Sequence, residues 1–118
     1  HLVYPQCFPS HKREPEDMNK SIIDWGLAQT KKQLEILDNK WHTFSGGGTY
    51  LTGGHLTIAD YFGAELAGCG DLIRVDWSGY PNVARWLAAM KALPEWGPVH
   101  EAIDGFAGSM ADAEFTAF

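Results

Sequence analysis

Residues Leu56–Phe62 read LTIADYF, and they open the most apolar stretch of the chain. From Thr57 to about Ile73 apolar residues fall on every side of a helical projection: Ile58, Ala59, Tyr61, Phe62, Ala64, Leu66, Ala67 and Cys69. A helix with no polar face reads as a buried one. The first four N–H groups of a helix have no partner within it, and in a buried helix water cannot supply one. Thr57 stands three residues before Asp60, the spacing of a capping box, with aspartate where glutamate is usual. Leu56 precedes the cap and is placed to pack on Tyr61 as a hydrophobic staple. Gly63, Gly68 and Gly70 each lower helix propensity by up to about 1 kcal/mol relative to alanine. The helix therefore needs its cap, and Thr57 and Asp60 read as structural residues rather than catalytic ones.

Upstream lies SGGGTYLTGG, residues 45–54. No lysine follows its glycines and no strand precedes them, so it is a connection and not a phosphate loop. Before it, Ile23, Leu27, Thr30, Leu34, Leu37 and Trp41 follow one another at steps of four and three. This stripe predicts a long amphipathic helix over 15–41. Pro15 suits its first position, and Glu16 and Asp17 suit the positive end of its dipole. Residues 1–8, HLVYPQCF, read as the end of a helix stopped by Pro5 and Pro9. Downstream, a third helix starts at Pro81, carries Val83, Trp86, Leu87, Met90 and Leu93 inward, and ends at Leu93-Pro94. A fourth starts near Pro98, with Trp96, Val99, Ile103 and Phe106 on one stripe. Phe115 and Phe118 are the anchors available in the tail. There is no convincing strand and no internal repeat. The expected fold class is all-α, a bundle around a buried central helix, with a domain over residues 1–107 and a tail over 108–118.

Composition narrows the function classes. The 118 residues suit one domain, and 45% hydrophobic residues with five tryptophans supply a core. Fifteen acidic residues against nine basic ones give a net charge of −6, which argues against nucleic-acid or anionic-membrane binding. No apolar run approaches the roughly 20 residues needed to span a bilayer. Cys7 and Cys69 form no CxxC pair and read as reduced thiols. His1, His11, His42, His55 and His100 show neither HExxH nor i, i+4 spacing, so no metal site is expected. No nucleophile motif is present, and Glu14/Glu16 and Asp71/Asp76 lack a setting that would divide them into an acid and a base. No catalytic residue is assigned.

Two longer stretches, YLTGGHLTIADYF and YPNVARWLAAMKALPEW, resemble the C-terminal domain of cytosolic glutathione transferases. The residues that carry the resemblance are Thr57, Asp60, Tyr80, Pro81, Asn82, Trp86 and Pro94, and HLVYPQCFPSHKRE is similar to the end of that domain's first helix in bacterial members. The resemblance implies a cytoplasmic enzyme that conjugates glutathione to hydrophobic electrophiles. It also implies an N-terminal thioredoxin-like domain as partner, which would hold most of the glutathione and the thiol-activating residue, and a homodimer. In that setting Tyr4, Cys7 and Phe8 are the candidates for the wall of the co-substrate site, and the chain alone is expected to be inactive. Opening at His1 without a methionine, in an apolar segment, it reads as a piece of something longer. The alternative is a non-catalytic interaction or ligand-binding module of the same fold.

Overall fold

The computed structural model describes residues 1–116 and 118. Its helices are α1 (Tyr4–Cys7), α2 (Glu16–Asn39), α3 (Trp41–Ser45), α4 (Ile58–Gly68), α5 (Pro81–Lys91) and α6 (Trp96–Ser109), joined by 3₁₀ turns at Pro9–His11, Cys69–Ile73 and Trp77–Gly79. Among the described residues there is no strand, only an isolated bridge between Tyr50 and Gly53. The fold is all-α. Among the described residues no helix is long and apolar enough to cross a membrane.

α1 occupies only Tyr4–Cys7 of the segment 1–8 read as the end of a helix, and Pro5 does not stop it. Pro5 lies in its first turn, where its missing N–H costs nothing, and the helix closes at Phe8 ahead of Pro9. α2 begins one residue later than the pattern suggests, with Pro15 as the extended residue before it. It also stops short of Trp41: the backbone leaves helical geometry at Lys40, and α3 carries Trp41 and ends on Gly46 in the left-handed region at φ 59°. α5 starts at Pro81 and buries Val83, Trp86, Leu87 and Met90.

Two apolar clusters make the core. Leu34, Trp41, Ala64, Val83, Trp86, Leu87 and Met90 form the first, joining α2, α3, α4 and α5. Leu2, Cys7, Ile23, Leu72, Ile73 and Val75 form the second, where the N-terminal segment meets α2 and the turn after α4. Trp77 and Phe118 touch both clusters. Phe115 packs against the second, so the tail folds back on the bundle. α6 runs to Ser109, two residues into the stretch read as tail.

Two expectations about inward faces need correction. α4 is apolar all round but not buried all round. Asp60 and Ala64 are fully enclosed, whereas Ile58, Phe62 and Leu66 are 85%, 68% and 63% exposed. Hydrophobicity on every side told only that no side was polar; within this chain one face meets neighbours and the other does not. On α6, Val99 points outward, and the buried residue of its stripe is His100. The histidine takes that place because its polar atoms are satisfied there: Nδ1 lies 2.7 Å from the Trp96 carbonyl, and Nε2 lies 3.0 Å from Glu65 on α4. Its ring stacks on Trp96 at 3.8 Å.

Candidate functional site

The start of α4 is built around one carboxylate. Thr57 and Asp60 form a capping box, and Asp60 Oδ2 accepts from the Thr57 amide and the Thr57 hydroxyl, both at 2.9 Å. Its other oxygen, Oδ1, accepts from the Leu51 amide at 2.7 Å and the Trp86 indole at 3.1 Å. Asp60 thus ties the glycine-rich connection, the head of α4 and the middle of α5 together while fully buried. Burial alone would push its carboxyl up. The hydrogen bonds from Leu51, Thr57 and Trp86 outweigh that and hold it below the ordinary carboxylate range. Leu56 packs against the first core cluster, whereas Tyr61 leaves half its surface exposed. With every bond of Asp60 engaged by the protein, no proton-transfer role is open to it.

The most apolar hollow beside the candidate wall residues lies elsewhere. A cleft of about 310 Å³ opens between the N-terminal segment, α2, α4 and the turn that follows α4. Tyr4, Leu34, Leu66, Cys69, Ile73 and Trp77 are among its walls. Two glycines shape it. A Cβ on Gly26 would stand 2.8 Å from the His1 carbonyl carbon and 2.9 Å from the Leu2 amide, so only glycine lets the N-terminal segment cross α2 this closely. A Cβ on Gly70 would stand 2.8 Å from the Trp77 ring. Asp71 holds that ring through its indole N–H at 3.0 Å and is itself paired with Lys91 at 2.5 Å.

Of the three residues proposed for a substrate wall, Tyr4 lines the cleft, and half its surface is exposed. Cys7 is buried in the second core cluster and is not among the lining residues. Phe8 stacks on Phe106 with ring centroids 5.1 Å apart, fastening α1 to α6, and meets Tyr4 edge-on at 5.3 Å. Cys69 and Trp77, which the sequence did not suggest for the wall, do line it. Burial pushes the thiols of both Cys7 and Cys69 up; the neighbouring Cys69 adds to this for Cys7, and Glu65 and Asp71 for Cys69. Both are therefore protonated at neutral pH and poor nucleophiles. Among the described residues no group of three or more histidine, cysteine or carboxylate side chains could hold a metal ion. This arrangement can shape and orient an apolar molecule.

Residues 6–94 match the family model of the glutathione S-transferase C-terminal domain, and the chain belongs to that family. No solved structure matches it.

Proposed function

We propose that the chain is the helical half of a cytosolic, bacterial-type glutathione transferase, forming one wall of the site for a hydrophobic, electrophilic co-substrate. The observation that carries this reading is the cleft of about 310 Å³ beside Tyr4 and Leu66, apolar with few polar groups, as a pocket for such a molecule should be. Support comes from the exposed face of α4, where Ile58, Phe62 and Leu66 suit cover by a thioredoxin-like domain. Glutathione carries two carboxylates, and the cleft offers no lysine or arginine to meet them. Glutathione and the group that activates its thiol accordingly belong to the partner domain. The role left to this half is alignment: holding the electrophilic carbon in line with the thiolate, which is a large part of what such a reaction needs. A homodimer is part of the same proposal.

The test is made in the complete enzyme. Tyr4→Ala should change kcat/KM for an apolar electrophile by at least about fivefold, roughly 1 kcal/mol of lost transition-state contact, with the KM for glutathione within about twofold. The reverse pattern removes Tyr4 from the wall. The intact mass from the source cell sharpens the test. A value near twice the 13.1 kDa of this chain supports an enzyme half, and a value equal to it favours a non-catalytic ligand-binding or interaction module.

A further inference from the structure

A second hollow, of about 290 Å³, lies on the other side of Tyr4 and has a different chemistry. It is lined by His1, Tyr4, Pro5, His11, Arg13 and Ile22. The chain as a whole is acidic, with a net charge of −6, yet no carboxylate lines this cleft. The contrast is with the cleft containing Lys91, which Glu65, Asp71 and Asp104 also line and where Asp71 pairs with the cation. Glu14 follows Arg13 in sequence but is not part of the lining.

Arg13 is free to bind. The cations of Lys20 and Lys91 are paired with Asp24 and Asp71. Among the described residues the Arg13 guanidinium makes neither an ion pair nor a hydrogen bond, although its own amide is fixed by Asn19 Oδ1 at 3.0 Å. So the backbone holds Arg13 at the rim while its fork of donors, always charged, is unused. The wall beside it is aromatic and braced. Tyr4 meets His11 edge-on at 5.2 Å and Phe8 at 5.3 Å, and Phe8 is stacked on Phe106. The His1 ring is set edge-on against Trp25 at 5.2 Å. Pro5 and Ile22 supply an apolar floor.

We propose that this cleft is a binding site for a small aromatic anion, a single ring bearing a phosphate or carboxylate. Arg13 takes the anionic group in bidentate fashion, helped by donors from His11 and His1, and the ring lies on Tyr4 above Pro5 and Ile22. The site stands whether or not the co-substrate reading above is correct, because it rests on this cleft alone.

Phenyl phosphate is the probe, titrated into the isotopically labelled 118-residue chain and followed by amide chemical shifts. Saturable binding is expected in the millimolar range or tighter, with shifts concentrated in residues 1–13 and around Ile22. Arg13→Gln, at an exposed position, should weaken it by at least about tenfold, and Lys12→Gln, outside the lining, by less than about twofold. Phenol and inorganic phosphate should each bind more weakly than phenyl phosphate. The proposal is overturned by absence of saturation at tens of millimolar, by unchanged affinity in Arg13→Gln, by shifts centred on Lys31 or Lys91, or by inorganic phosphate binding as tightly as the aryl ester.

Discussion

α4 and α5 lie side by side and start in similar surroundings, but they are capped from different places. α4 is closed by a residue of its own first turn, Asp60, working with Thr57 just before it. α5 is closed from α2. Asp38 Oδ1 accepts from the Asn82 amide at 2.7 Å and the Val83 amide at 3.0 Å, and the Asn82 side chain returns a bond to the Asp38 carbonyl at 3.1 Å. The two aspartates do the same work on orphan N–H groups. They differ in what else they hold. Asp60 gathers a loop, two helices and an indole into one buried node, whereas Asp38 joins one helix end to the flank of another.

That difference predicts unequal consequences. Asp60→Ala removes an acceptor from four donors, two of them backbone amides, at a side chain that is fully buried. The expected loss is about 3 kcal/mol or more, seen as a fall in Tm of roughly 10 °C or more in thermal unfolding. A loss near 1 kcal/mol, the size of a simple cap, would reduce Asp60 to a local capping residue. The acid limb of the stability curve comes next. The Asp60 carboxyl is held below its ordinary value in the folded state, so its contribution is complete above that ordinary value of about 3.9 and is lost as pH falls through the lower folded one. Urea midpoints between about pH 5 and pH 2 should therefore drop more steeply in the parent than in Asp60→Asn, which has no proton to gain there; parallel curves would show that other carboxylates set the acid limit. The smallest effect belongs to Asp38→Ala, about 1–2 kcal/mol, the ordinary range for a lost N-cap. Equal costs at Asp38 and Asp60 would dissolve the contrast between the two helix starts.

The same contrast explains what was legible in the sequence. The α4 cap is written within four consecutive residues, so its spacing identifies it. The α5 cap joins positions 44 apart, and nothing near Asp38 marks it; in the α2 sequence it is simply one acidic residue among several. Periodicity located the helices because it reports repeat and amphipathicity. It misjudged the outer faces of α4 and α6 because it cannot tell an apolar surface that is covered from one that is not, nor foresee that His100 is satisfied between Glu65 and Trp96. In the cleft, Tyr4 was reached through family resemblance. Cys69 and Trp77 were not, because their place depends on the close approach that Gly70 allows, a property of two segments meeting rather than of either alone.

Arg74 closes the other end of the bundle. It sits in the left-handed region at φ 58°, and its guanidinium donates to the carbonyls of Met110, Ala111 and Ala113 while lying 5.3 Å from the Phe115 ring centroid. Those acceptors lie just past the end of α6, a helix of which only His100 is buried. One side chain thus latches a lightly anchored terminal unit. The consequence is a ranking of local stabilities: α6 and the tail form the piece that opens first, with hydrogen exchange there running ahead of α4 and α5, and native fluctuations peel this unit away while the Asp60 node stays closed.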